Sequence, residues 1–370
     1  MPDLSAQVAL ATSSPPLTAA KVLAALRKAV PVIRSRAADL DARSAFPAED
    51  VDFLAQIGAL EVMAGDTPSP RELMEALRLV GRANLSLGRI FEGHVNGARL
   101  IAWHGSAEQR RTLDADLAAG KVLGVWNTEP APGVTIAQGG LRGAKSYATG
   151  AGHIDIAVVT AATSEGKQMV LAHASDPARA DPSAWRVRGM RATVSGTYDL
   201  TGLPVNAATR LGAPGDYECE PRFSAGAWRF TAVQLGGVEH VLTLLRDHLA
   251  ASPAGQDPIH RARFGKALAA ARSAYLWVRE AADRAEAPNA GPETISFVLM
   301  TRGVVEEAGL AVMEAAARSV GTRAFFVDNP LDQACRDLAL YLRQPVPDQA
   351  LDRAAAAFLA QDPWADDPLW

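Results

Sequence analysis

The sequence predicts a mainly α-helical protein with a β-domain in the middle of the chain. Three observations carry this expectation. Apolar residues recur at helical spacing from about residue 17 to 120. From 121 to 215 the texture changes to short, partly β-branched runs separated by glycine turns. After that the helical period returns. The expected organisation is a flexible tail over 1–16, an N-terminal helical domain over 17–120, a β-domain over 121–215 and a C-terminal helical bundle over 216–370. A chain of 370 residues suits two or three such units at about 150 residues each.

In the first segment Val22, Leu26, Val30 and Ile33 form one apolar stripe, which Pro31 is expected to bend or break. Phe46-Pro47 opens a second helix that turns Val51, Leu54 and Ile57 inward and stops at Gly58. Ser69-Pro70-Arg71-Glu72 and Ser106-Ala107-Glu108-Gln109 each spell a capping box, and Leu73, Leu77 and Val80 follow the first on one face. In the middle segment strands are expected over 121–128, 141–149, 154–162, 168–174, 185–188 and 197–205. With turns and no long helix between them, they suggest a small antiparallel barrel or sandwich. Beyond Ala225, Val233 to Leu249 make a long apolar helix. Asp257-Pro258 caps and opens the next, and further helices are expected over 294–320 and 331–343. Each helical segment is too open to fold alone, so the two are expected to pack together.

The net charge of −4 argues against a general nucleic-acid-binding face. Cys219 and Cys335 lie far apart and form no CxxC pair, so neither a thiolate zinc site nor a redox dithiol is expected. The histidines include no H-x-x-x-H or H-E-x-x-H, and no metal site is expected. No apolar run approaches the roughly 18 residues of a membrane span, and no basic stretch precedes an apolar one near Met1. These features suit a cytoplasmic protein with reduced thiols and no membrane partner.

Six short motifs stand in collinear order between Phe46 and Leu351. They are Gly105-Ser106-Ala107-Glu108-Gln109-Arg110, Asn127-Thr128-Glu129-Pro130, the run Leu141 to Gly150, Gly189-Met190-Arg191, Arg261-Ala262-Arg263-Phe264-Gly265 and Arg336-Asp337. Together they resemble the acyl-CoA dehydrogenase family of flavoproteins. The resemblance implies an N-terminal helical domain, a small β-barrel and a C-terminal four-helix bundle. It implies FAD as cofactor, a homodimer or homotetramer in which a neighbouring subunit holds part of that cofactor, a small-molecule or acyl-thioester substrate, and an electron-transfer flavoprotein as a partner. By the same resemblance Thr128 and Thr149 contact the isoalloxazine edge, Tyr147 takes the aromatic place beside the ring, and Trp126 lies two residues before Thr128. Arg261 reaches the pyrophosphate, where a planar guanidinium suits phosphate oxygens, and Phe264 supports the adenine or ring end. Arg318 and Gly321 belong to a stretch similar to the one that meets the adenosine, with one of its three glycines kept.

Two departures bear on the reaction. The positions at which the family places its proton-abstracting carboxylate fall on Pro345 and Phe230, which take no proton. Glu239 and Asp348 are the nearest carboxylates in sequence, and each suits a surface position. The family's acyl-CoA-holding stretch after Glu129-Pro130 is replaced by Ala131-Pro132-Gly133-Val134-Thr135. No catalytic residue is therefore assigned. The expected activity is α,β-dehydrogenation of an acyl thioester. The alternatives are a flavin-dependent monooxygenase of the same fold, which needs no α-proton abstraction, and a non-catalytic assembly subunit.

Overall fold

The computed structural model describes residues 17–66 and 68–360, so the tail expected over 1–16 lies outside the described residues. Six helices come first: α1 (Ala19–Arg43), α2 (Ala48–Gln56), α3 (Ala59–Ala64), α4 (Pro70–Ala83), α5 (Leu85–His104) and α6 (Ala107–Ala118). Both predicted capping boxes form. Ser69 and Glu72 close the start of α4, and Ser106 and Gln109 close the start of α6. Of the two outcomes expected at Pro31, the break does not occur: α1 runs on through it. Arg27 and Pro31 are both exposed, so water reaches the carbonyl that proline leaves without a donor. The opposite face stays buried through Val22, Leu26 and Ile33.

Nine short strands follow: β1 (Leu123–Trp126), β2 (Thr135–Ala137), β3 (Gly140–Arg142), β4 (Ala144–Lys145), β5 (Ile156–Thr163), β6 (Gly166–His173), β7 (Ala180–Asp181), β8 (Thr197–Asp199) and β9 (Arg210–Leu211). One sheet has six strands in the path β3-β2-β5-β6-β9, with β1 also on β5; a second has the order β4-β8-β7. The first sheet is mixed rather than purely antiparallel, because β1 and β2 both run parallel to β5. Five consecutive residues of β5 are buried, the pattern of a strand covered on both faces. The strand expected over 185–188 does not form. Trp185 instead donates its indole N–H to the Met190 carbonyl at 3.0 Å and folds the segment back on itself.

The remaining helices are α7 (Arg222–Ala225), α8 (Trp228–Ala250), α9 (Pro258–Ala285), α10 (Glu293–Val320), α11 (Pro330–Tyr341) and α12 (Pro347–Leu359). The sequence reading missed α12. The central helix α8 packs on α4, α9, α10 and α11, so the two helical segments do share one core. The α4–α8 crossing depends on bare backbones. A Cβ on Gly81 would lie 2.3 Å from the Val233 carbonyl oxygen, and one on Gly236 would lie 2.2 Å from that of Arg78. Among the described residues no helix is long and apolar enough to cross a membrane.

Two polar junctions join these layers. Arg336 donates to Asp41 on α1 and Asp332 at 2.8 Å each, and to the Arg188 carbonyl. Beside it the buried Asp337 carboxylate accepts the Met190 amide N–H at 2.5 Å and the Gln333 side chain at 2.6 Å. Gly189 must lack a side chain here, because a Cβ would fall 2.1 Å from the Arg336 carbonyl oxygen. The second junction is His94, fully buried on α5. Its Nε2 donates to the Leu60 carbonyl at 2.9 Å, and its Nδ1 accepts the Leu123 amide N–H at 3.1 Å. Only the neutral ring makes both bonds, and burial pushes its pKa down to about 4.

Because the folded state disfavours the protonated ring, the stability His94 contributes is complete above its unfolded pKa of about 6.5 and is lost as the pH falls toward 4. We expect urea titrations at pH 7 and pH 4.5 to show a loss on the order of 3 kcal/mol that is absent from His94→Gln. A wild-type and variant difference that stays constant with pH would refute the assignment.

Candidate functional site

A cavity of about 860 Å³ opens between the end of β1, helix α5, the start of α8 and the α11–α12 connection. Four sequence-predicted residues meet there: Trp126, Thr128, Tyr147 and Thr149. Trp126 is buried, and its indole N–H donates to the Thr149 carbonyl at 3.1 Å, which ties the two threonine-bearing segments together. The Thr149 hydroxyl shares a 3.1 Å hydrogen bond with Ser195. Tyr147, 62% exposed, meets the edge of Trp185 at the cavity mouth.

A buried lysine holds the Thr128 segment. Lys145 has no exposed surface, yet its ammonium donates to the Asn127 carbonyl at 3.1 Å, to the Thr160 hydroxyl at 3.0 Å and to the Glu129 carboxylate. Thr160 in turn donates to the Asn127 side-chain oxygen at 2.7 Å. Burial lowers the Lys145 pKa, and Glu129 opposes the shift. Residues 127–129 are thus pinned against β4 and β5, with Thr128 left facing the cavity.

The other four predicted residues lie elsewhere. Arg261 is exposed at the start of α9, where it donates to the Gly255 and Gln256 carbonyls. Phe264 is half-buried against the core. Arg318 pairs with Glu314 near the end of α10. Gly321 has a positive φ of 72°, and a Cβ there would meet nothing within 4 Å. Helices α9 and α10 are antiparallel neighbours joined over residues 286–292, so these four residues share one end of the bundle.

The sequence reading also missed much of the cavity. Arg89, Glu92, Asn96, Leu100 and Trp103 follow one another at three- and four-residue spacing along the face of α5 that lines it. The buried Glu92 accepts from Arg89 and Asn96. Asn96 accepts from Arg229 at 2.5 Å, and Arg229 pairs with Glu286 at 2.6 Å. A charged stripe within an otherwise apolar helix was the available signal. Phe230 and Pro345, the positions expected to carry a base, both face the cavity. Glu239 is held by Arg78 outside it, and Asp348 does not line it.

Lys145→Met would leave the Glu129 carboxylate and the Asn127 carbonyl without their donor. We expect a loss of roughly 3 kcal/mol in chemical denaturation as residues 127–129 loosen. An unchanged denaturation midpoint would exclude this role.

No family model and no curated protein matches the chain. Solved structures do. Dibenzothiophene monooxygenase TdsC from Paenibacillus sp. A11-2, also solved with FMN bound, is 22% identical with a TM-score of 0.80, over 92% of this chain and 97% of that one. Methanesulfinate monooxygenase MsuC from Pseudomonas fluorescens is 19% identical with a TM-score of 0.78, over 92% and 97%. Butyryl-CoA dehydrogenase from Megasphaera elsdenii is 16% identical with a TM-score of 0.80, over 94% and 100%. The helices and middle sheets built above are therefore those of the acyl-CoA dehydrogenase fold, which this chain shares with both monooxygenases and dehydrogenases.

Proposed function

We propose that the protein is a flavin-dependent monooxygenase acting on a small molecule. The observation that carries this reading is the pair Phe230 and Pro345. Both face the cavity where a dehydrogenase of this fold would need a carboxylate, and neither accepts a proton. The carboxylates that do line the cavity are committed, Glu92 to Arg89 and Asn96, and Asp216 to His104 at 3.3 Å and to the Ala213 amide at 2.8 Å. The similarity to two monooxygenases of the same fold agrees with this choice.

The residues present fit a flavin. Among the described residues the Thr128 and Ser146 hydroxyls line the cavity without a hydrogen-bond partner in the protein. With Thr149 and Ser195 they form a row of small polar groups suited to the edge of a flat heteroaromatic ring. Trp126 spends its own N–H on Thr149 and offers the ring an apolar flank. When bound in reduced form, a flavin supplies the two electrons with which dioxygen gives one oxygen atom to substrate and one to water. The chain's part is to hold the ring edge through Thr128 and Thr149, to keep bulk water out with Tyr147 and Trp185 at the mouth, and to position the substrate between α5 and α10.

The FAD expected from the sequence requires more than one chain. Arg261, Phe264, Arg318 and Gly321 are away from the cavity, and around them Ile259, Phe325, Phe326 and Val327 are exposed. An apolar patch of this kind suits contact with a second copy, and it supports a homo-oligomer in which that end reaches the adenosine half of a neighbour's cofactor.

Anaerobic mixing of the flavin-loaded protein with butyryl-CoA should leave the visible flavin band intact, and oxygen-dependent turnover should follow a supply of reduced flavin. Bleaching of the band by the thioester would overturn the proposal in favour of acyl-thioester dehydrogenation. Protein that cannot be reconstituted with flavin would point to an assembly subunit. For the adenosine end, Arg261→Ala should weaken FAD retention by roughly tenfold and Arg263→Ala by much less, with FMN retention unchanged in both. Equal FAD retention in the two variants removes the pyrophosphate assignment.

A further inference from the structure

The cavity wall is strongly cationic. Arg89, Arg222, Arg229, Arg302, Arg343 and Arg353 line it, against the carboxylates of Glu92 and Asp216. Most of these guanidinium groups are spoken for. Arg89 is held by Glu92, Arg229 by Glu286, Arg343 by Glu306 at 2.6 Å and Arg353 by Glu220 at 3.8 Å. Arg222 is exposed and lies over the Trp103 ring.

Arg302 differs from all of them. It sits inside α10, 9% exposed, and has no carboxylate within ion-pair distance among the described residues. Its Nη2 donates to the Gln344 and Pro345 carbonyls, which close the end of α11. Its Nε and Nη1 have no partner among the described residues and are open to solvent. The guanidinium lies 5.2 Å from the centroid of the Phe230 ring, which gives it a flat apolar backing. Burial brings its pKa down to about 10, opposed by Glu306, so it keeps its charge at neutral pH. A charged guanidinium with free N–H groups at a cavity and no carboxylate partner is a ready binding point for an anion.

We propose that the substrate of this cavity carries an oxyanion (a carboxylate, sulfonate or phosphate) on an apolar body, and that Arg302 binds it through an N–H left free by the Gln344 and Pro345 carbonyls. Nη2, which belongs to both two-nitrogen edges of the guanidinium, is already donating to those carbonyls, so the contact is a charge-assisted hydrogen bond from Nη1 or Nε. Phe230 backs the guanidinium on one side, and Trp103, Phe223 and Tyr217 supply apolar walls for the rest of the molecule. The inference rests on the cavity being a substrate site, as proposed above, and it names the substrate class that the site selects.

Benzoate, phenyl phosphate and the neutral isostere benzamide test it. Binding is followed by intrinsic tryptophan fluorescence on the flavin-free protein and by perturbation of the visible band on the flavin-loaded protein. Benzoate or phenyl phosphate should bind about tenfold or more tightly than benzamide. Arg302→Gln should abolish that preference while leaving benzamide affinity within about twofold. Arg302→Lys keeps the charge and a donor but loses the planar group set against Phe230, so it should retain a reduced preference. It also provides the test if the glutamine variant does not fold. Equal affinity for the anions and benzamide in the wild type, or a preference that survives Arg302→Gln, overturns the proposal. So does an Arg302→Gln variant that loses FMN but keeps its benzoate preference, because Arg302 would then serve the cofactor's phosphate. Flavin retention without anion selectivity defeats this inference alone. Anion selectivity in a protein that never takes flavin defeats the monooxygenase reading alone.

Discussion

The cavity exists because Arg336 and Asp337 join three segments that are far apart in the chain. Arg336 ties α11 to Asp41 on α1 and to the Arg188 carbonyl, and Asp337 takes the Met190 amide. Met190, Thr193 and Ser195, which follow this turn, form one wall of the cavity, and Ser195 carries the Thr149 hydroxyl. Burial pushes the Asp337 carboxyl up to about 7, and the Met190 N–H works against that shift. Removing one member of such a buried charged cluster costs about 3–5 kcal/mol. The cost falls on the geometry of the wall as well as on the fold, because the same turn that these residues anchor to α11 leads into the wall. The close approach that a glycine permits at position 189 makes the joint possible.

What could be seen in the sequence follows how local each signal is. The capping boxes at Ser69 and Ser106, the Asp257-Pro258 start and the apolar stripe of α8 are written within a few residues, and each took its expected form. Pro31 does not break α1 because tertiary burial of the opposite face outweighs its local penalty. Trp185 misled because its alternation resembles a strand, while the indole found a partner five residues away in a turn. The parallel pairing of β1 and β2 with β5 depends on how the chain crosses the sheet, which no single strand specifies.

The site divides along the same line. Trp126, Thr128, Tyr147 and Thr149 belong to two short runs whose register was readable, and they meet in one cavity. Arg302 was invisible because its meaning depends on Phe230, from α8, and Pro345, from the α11–α12 connection. The charged stripe of α5 could have been read as a solvated face. It is a wall only because α8 presents Arg229 opposite Asn96. Arg261 and Arg318 lie outside the cavity, so the motifs that singled them out do not bring them to it.

Arg302 also bears on why no base stands at position 230. A proton-abstracting carboxylate must be free to change charge and needs a pKa that rises toward the working pH. A carboxylate at 230 would lie beside a guanidinium that now rests against the Phe230 ring at 5.2 Å. An opposite charge at that range favours the ionised form and lowers the pKa by about 1–3 units. The result would be an ion pair, held in place and poor at accepting a proton. Arg302 and a base at 230 therefore exclude each other, and a phenyl ring is the compatible neighbour because it stabilises the cation without neutralising it. On this argument the missing carboxylate and the buried arginine are one feature. In the proposed reading, this wall holds a negative charge on the substrate and offers no group at 230 to remove a proton from it.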